Sequence, residues 1–177
     1  KEVATLDAYS GGRVLLGIGT GSLKEQAEIL GSDFPHRWTQ AREAVLAMKE
    51  LWTKGKSEFR GAYYNFPAVY CYPKPVQKPH PPLLLGSKAP NVLKRVVAYA
   101  DGWIPIGLSP EEIRIGRAEL DRLAEAAERP VSSIEITVME LPANRSEIAR
   151  YEEAGADRVL VGLPTAGEEE SLTKLEQ

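Results

Sequence analysis

Residues 6–22, LDAYSGGRVLLGIGTGS, decide how this chain folds. A helical tail stops at Gly11-Gly12. Val14 to Ile18 then form a short apolar run that opens into glycines at 17, 19 and 21. A buried strand ending in a glycine-rich loop is how parallel α/β folds bring bare backbone N–H groups up to a phosphate-bearing ligand. The stretch lies at the start of the chain, with only part of a helix ahead of it and no initiator methionine. The expectation is a fold entered partway through.

Downstream, Ala41, Ala44, Val45, Met48, Leu51 and Trp52 recur at helical spacing, and Lys54-Gly55-Lys56 ends that helix. Residues 57–81 are rich in aromatics and proline. That proline spacing excludes a central strand, so a short hairpin around Gly61 and an extended arm are expected, as an insertion on a regular fold. Its aromatic cluster is read first as packing the loop onto the body, with binding of a planar ligand as the alternative. Leu83-Leu84-Leu85 is a second buried strand ending at Gly86-Ser87, with Pro90 near the start of the next helix. Val92, Leu93, Val96, Val97 and Ala100 make that helix's inner face, and Asp101-Gly102 turns into a third strand, WIPIG.

Ser109-Pro110-Glu111-Glu112 has the form of a capping box with proline at the first helical position. The helix behind it runs to Arg129-Pro130. Ile134, Ile136 and Val138 alternate with polar residues as a fourth strand. A helix over Ser146–Ala154 stops at Gly155, Arg158–Leu163 is a fifth strand, and a last helix runs from about Glu168 to the end. Strict βα alternation with short loops means parallel strands and right-handed crossovers. Such units fit an open doubly wound sheet or part of an eight-fold barrel. Monotonous repetition, without a long connection to reverse the strand order, favours the barrel.

Composition narrows the function. With 43% hydrophobic and 27% charged residues, the 177-residue chain is an ordinary globular one, and a net charge of −3 does not suit a nucleic-acid surface. The single cysteine, Cys71, rules out an internal disulfide, fits a reducing compartment and has no histidine motif beside it. No apolar run approaches the roughly 20 residues that span a bilayer, and no signal peptide precedes Lys1. A cytoplasmic protein without nucleic-acid or membrane partners is expected.

A Rossmann fingerprint counted from Gly17 needs glycine at its sixth position, where Ser22 stands. A Walker loop lacks its Gly-Lys-Ser/Thr. The glycines either cradle a phosphate or ring system at a barrel rim or simply let a strand turn tightly. His36 and His80, the two histidines, have no ligand-spaced partner, so no metal site is expected. Arg37 and Glu43 are read as anchors of the helix that follows them. Glu152-Glu153 and Glu168-Glu169-Glu170 are read as solvated helix faces.

Six pieces fall in one order along the chain: ATLDAYSGGRVLLGIGTG, RWTQAREAVLAMKELW, FRGAYYNF, PKPVQKPHPPLLLGS, AYADGWIPIG and YEEAGADRVLVGLP. Together they resemble the luciferase-like monooxygenase superfamily, most closely its deazaflavin (coenzyme F420)-dependent oxidoreductase branch. The resemblance implies a (β/α)8 TIM barrel with an insertion after its fourth strand, the place taken here by residues 57–81. Val14–Gly19 then looks like strand four, and the strands near 83, 103, 134 and 158 like five to eight. The expectation is a single luciferase-like domain over 1–177, an N-terminally truncated partial barrel of about five βα units.

The resemblance further implies a cofactor in the barrel mouth, F420 or alternatively FMN. Its contacts would come from the loop after strand four, Gly19, Thr20 and Gly21, and the loop after strand five, Gly86 and Ser87. Backbone N–H donors suit such small residues. Many relatives carry Gly-Gly where this chain has Gly86-Ser87. In the sugar-phosphate dehydrogenase branch an acidic catalytic residue follows the glycine loop, where this chain has Ser22, so that activity is not expected. No catalytic residue is assigned, because much of the family's substrate pocket lies in strands one to three.

The activity implied is hydride transfer between F420 and a small organic substrate, with FMN-dependent monooxygenation as the alternative. A non-catalytic half-barrel serving as a binding or assembly module is the reading from another class. A homo-oligomer is expected. The chain alone is expected to be inactive, to associate or be poorly soluble through unpaired strand edges, and to bind cofactor weakly.

Overall fold

Gly11 and Gly12 take φ of 65° and 82° directly after helix α1 (Glu2–Tyr9), so the chain turns where two residues without Cβ permit it. The computed structural model describes residues 1–142, 144–162 and 165–175. They form an α/β fold of parallel sheet and helices, divided into two compact units, residues 1–84 and 85–177.

The first unit continues from α1 into strand β1 (Leu16–Gly19), a short helix α2 (Lys24–Ile29), a 3₁₀ turn (Phe34–His36) and the long helix α3 (Arg37–Thr53). β1 begins two residues later than the apolar run suggests. The Val14 carbonyl is taken by the Gln77 side chain, and sheet pairing starts with Leu16 N–H on Pro82 O. α2 was not expected, because six residues carry too little periodicity to register. On α3, Val45, Ala47 and Trp52 are buried, as is Glu43.

The insertion is the expected hairpin. Strands β2 (Lys56–Arg60) and β3 (Asn65–Tyr70) pair antiparallel, Lys56 opposite Tyr70 and Arg60 opposite Asn65. The arm behind them holds cis peptides at Tyr72-Pro73 and Lys78-Pro79. It leads into β4 (Leu83–Gly86), whose three leucines are buried and which spans the boundary between the units.

The second unit adds α4 (Val92–Tyr99), β5 (Gly102–Trp103), α5 (Pro110–Ala126), β6 (Glu135–Leu141), α6 (Arg145–Glu153), β7 (Arg158–Val161) and α7 (Glu168–Leu175). β5 and β6 pair in parallel, as do β6 and β7. Pro90 lies ahead of α4, whose N-cap is Asn91 at φ 65°. The third strand is shorter than WIPIG. Pro105 has no N–H to offer a ladder, and pairing resumes only as a bridge between Ile106 and Met139. β6 does not alternate: Ile136, Thr137 and Val138 are all buried, as both faces of a covered parallel sheet require.

Ser109 caps α5 as a complete capping box with Glu112, and Pro110 opens the helix. Arg117 ties α5 to the turn before β7, donating to the Gly155 and Ile134 carbonyls and pairing with Asp157. Arg129 donates to the Val96, Val97 and Ala100 carbonyls and so closes the C-terminus of α4. The expected end of the fifth strand, Leu163, and of the last helix, Glu176-Gln177, lie outside the described residues.

Candidate functional site

β1 delivers the first candidate loop. Gly19 is its last residue, Thr20 is half-buried, and Gly21 is exposed with φ 73°. A Cβ built on Gly19 or Gly21 meets nothing within 4 Å, so the backbone here is open to an approaching molecule. Among the described residues, no acceptor takes up the N–H of Thr20, Gly21 or Ser22. Three successive free donors on a turn with one left-handed residue make a concavity for an oxygen-rich or anionic group.

Gly86 closes β4 and Ser87 follows it, both half-buried. The Ser87 hydroxyl oxygen accepts the Ala89 N–H at 2.8 Å, which leaves the hydroxyl proton to donate outward. The Ser87 carbonyl accepts Trp103 Nε1–H at 2.8 Å. Trp103 is buried, and α5 makes room for it with Gly116, where a Cβ would stand 3.0 Å from the Trp103 Cη2. The loop after β4 is therefore held from below by an indole wedged into a helix notch. Spacing alone did not reveal Trp103 in this role; its signal was Gly116, a glycine inside an otherwise strong helix.

A cavity of about 580 Å³ lies on the helix side of this loop, between α4 and α5, lined by Lys88, Val92, Trp103, Leu108 and Glu112 among others. Neither Gly86 nor Ser87 lines it. Lys88 reaches the Gly107 carbonyl at 3.3 Å. Its positive charge and, more strongly, the Ser109 N–H hold the Glu112 carboxyl below its ordinary range.

Glu43 has a different task from the one its place on α3 suggested. Its carboxylate accepts the N–H groups of Ala62, Tyr63 and Tyr64 at 3.0, 2.8 and 3.3 Å, so it anchors the hairpin turn. Those donors, Tyr63 foremost, lower its pKa. Arg37 does secure the start of α3, donating to the Phe34 carbonyl at 2.9 Å with its guanidinium 3.9 Å from the Phe34 ring centre. Among the described residues, no three His, Cys, Asp or Glu side chains group to hold a metal, and no helix is long and apolar enough to cross a membrane.

The family model for luciferase-like monooxygenases matches residues 1–175. The chain belongs to the luciferase-like monooxygenase family. An uncharacterized protein of Mycobacterium tuberculosis H37Rv is 31% identical over 180 residues, covering 100% of this chain and 62% of its own length. The FMNH2-dependent dimethylsulfone monooxygenase of Pseudomonas putida is 27% identical, covering 97% of this chain and 46% of its own. The F420-dependent glucose-6-phosphate dehydrogenase of Amycolatopsis mediterranei is 29% identical, covering 78% and 42%.

Solved structures carry the same fold. A monooxygenase from Streptomyces bottropensis superposes with a TM-score of 0.80 at 16% identity, over 99% of this chain and 69% of the other. An F420-dependent secondary alcohol dehydrogenase, solved with an F420–acetone adduct, gives 0.76 at 19% identity, over 90% and 67%. This luciferase-like chain spans 62% of the length of the M. tuberculosis relative and less of the two named enzymes.

Proposed function

We propose that the protein carrying this chain is an oxidoreductase that moves a hydride between coenzyme F420 and a small organic substrate. Monooxygenation with reduced FMN is the alternative. The observation that carries the reading is the row of free N–H donors at Thr20, Gly21 and Ser22, at the end of a luciferase-like strand. Both cofactor types present carbonyl and phosphate oxygens that such donors suit. On this reading Gly19, Thr20 and Gly21 hold the cofactor from one strand end, and Gly86 and Ser87 do so from another. The five sheet strands correspond to strands four to eight of a (β/α)8 barrel within one domain.

When bound, the cofactor supplies the hydride acceptor or donor. The chain's own residues bind and orient. The Thr20–Ser22 turn offers donors on either side of Gly21, which has no side chain to stand in the way, and the Ser87 hydroxyl has one proton to give after Ala89 has used its oxygen. Ser22 places no carboxylate beside the glycine loop, so the substrate proposed is not a sugar phosphate. A homo-oligomer in the cytoplasm, acting on a small molecule without nucleic-acid or membrane partners, completes the reading.

Titrating the full-length protein that carries this chain with F420 and with FMN, followed by cofactor fluorescence, tests it. Binding of F420 in preference to FMN supports the proposal. Preference for FMN reverses the order of the two, and binding of neither overturns both in favour of a non-catalytic module.

A further inference from the structure

Among the described residues, Asn91, Glu128 and Glu140 take positive φ without being glycine. Helix ends explain the first two. Asn91 is the N-cap of α4, and asparagine tolerates the left-handed region well. Glu128 follows the cap of α5; its N–H bonds the Glu125 carbonyl and that of Arg129 bonds the Ala124 carbonyl, the two bonds of a Schellman motif. Glu140 is different. It stands at φ 62° inside strand β6, where extended backbone is the rule.

The strain belongs to a bulge. While β6 advances from Val138 to Leu141, β7 advances only from Val159 to Val161, so β6 carries one extra residue. Ile136 and Val138 are buried on the face that Trp103, paired with Ile136, turns toward Gly116 of α5. Strict alternation would give the next buried place on that face to residue 140. The bulge gives it to Leu141 and leaves Glu140 exposed near the C-terminal end of β6. A short polar side chain can offset left-handed strain by bonding nearby backbone. Among the described residues, the Glu140 carboxylate takes no hydrogen bond and no ion pair. Nothing in this stretch of chain offsets the strain, and glycine would sit there without it. Bulges at sheet rims re-aim side chains toward sites, and strained residues persist where function uses them.

The place is one where a carboxylate can meet substrate. β5, β6 and β7 run parallel, so their C-terminal ends share one edge of the sheet. Ile104 N–H bonds the Leu85 carbonyl and Ile106 bridges Met139, which sets Glu140 two strands from Ser87 on that same edge. Parallel α/β sheets bind their ligands at this edge. Ile106 and Met139, opposite each other, lie on the face away from Trp103 and offer apolar carbon beside the carboxylate. We propose that Glu140 is a substrate-contacting residue: its carboxylate accepts from a hydroxyl or a protonated amine on a small molecule that lies along Ile106 and Met139, and it turns anions away. The proposal rests on the reading of this edge as the active-site mouth and adds the substrate class, a compact molecule with apolar carbon and a donor group, not an acid.

Calorimetric titration of the full-length protein that carries this chain with isobutylamine, isobutanol and isobutyrate tests it. The amine or the alcohol is expected to bind about tenfold more tightly than the acid, and Glu140→Gln to cut that ratio to about twofold. A lead for the amine over the alcohol shows that charge is read; equal binding of the two shows that the donor is. Glu140→Gly is expected to lose the same preference and yet to melt about 2 °C higher, because the strain is relieved while the contact is lost. An unchanged ratio in Glu140→Gln overturns the proposal, as does binding of none of the three probes by the parent. So does a lower melting temperature for Glu140→Gly, since the carboxylate would then be holding another part of the protein. Cofactor titration separates the two readings: if neither F420 nor FMN binds but the probe ratio responds to Glu140→Gln, the oxidoreductase reading falls and the contact stands.

Discussion

Gln77 holds Asp7 across 70 positions of sequence, its backbone N–H on Asp7 Oδ2 at 2.9 Å and its side-chain Nε2 on Asp7 Oδ1 at 2.7 Å. The same Nε2 also donates to the Val14 carbonyl at 2.8 Å. One amide therefore joins helix α1, the proline-rich arm and the lead into β1. Gly12 belongs to this joint: its N–H bonds the Asp7 carbonyl at 2.8 Å, and a Cβ there would press on Gln77 Cγ at 3.3 Å. The strand that carries the glycine loop is positioned from behind by a buried carboxylate.

Asp7 makes stability pH-dependent in a definite direction. Burial alone raises its pKa, but the hydrogen bonds from Gln77 and Val76 outweigh that and hold the carboxyl below its ordinary 3.8. A depressed folded-state pKa gives stability that is full above the unfolded value and is lost as the pH falls through the folded one. The Asp7→Asn variant should unfold at lower urea than the parent at pH 7, and the gap should narrow on acidification below pH 3.8. Asp7→Ala strands the Gln77 donors in a buried place and should cost about 2–3 kcal/mol. A gap independent of pH would mean that the carboxylate's charge contributes nothing.

Glu43 and Gly61 depend on each other. A Cβ at Gly61 would stand 2.7 Å from the Glu43 Cδ, while three turn N–H groups hold that carboxylate in place. Gly61→Ala and Glu43→Gln should each lower the melting temperature. The double variant should lose less than the two losses added, because either change alone already disturbs the same contact. Additive losses would show that the two residues act separately.

Glycine within a helix normally gains about 1 kcal/mol on replacement by alanine. At Gly116 the sign should invert. The alanine methyl would meet the Trp103 ring, which cannot yield while its Nε1–H is bonded to the Ser87 carbonyl. Gly116→Ala should therefore destabilise by about 2 kcal/mol, as overpacked cores do. Thermal unfolding of Gly116→Ala and of the control Gly116→Ala/Trp103→Leu decides it, the second variant being expected to recover part of the loss.

Local signals in the sequence carried most of the fold. Paired glycines at 11 and 12, the capping box at Ser109–Glu112, the apolar run Leu83–Leu85 and Gly155 each mark a boundary through chemistry that acts within a few residues, and each stands where expected. Pro105 shortened a strand that hydropathy alone extends. What spacing did not reveal acts at long range. Glu43 bonds a turn 19 to 21 positions away, and Asp7 an arm 70 positions away; nothing in either residue's neighbourhood names its partner. The turn after β1 was legible because Gly21, at φ 73°, takes a conformation that favours a residue without Cβ.

Ser87 offers a test of the second candidate loop that leaves the sheet alone. Its hydroxyl oxygen closes the turn on Ala89 N–H, and its carbonyl is pinned by the indole of Trp103. Ser87→Ala removes the first tie and the outward proton together; Trp103→Phe removes only the second tie and some packing. If the loop holds cofactor, Ser87→Ala should weaken F420 or FMN binding about threefold to tenfold and cost no more than about 1 kcal/mol of stability, since one neutral hydrogen bond is lost at a half-exposed place. Trp103→Phe should show the reverse weighting, a larger loss of stability and a smaller loss of affinity. Cofactor titration beside urea unfolding of both variants separates the two. Equal affinity in the parent and Ser87→Ala would remove Ser87 from the binding loop and leave the Thr20–Ser22 turn as the cofactor's sole hold among these residues.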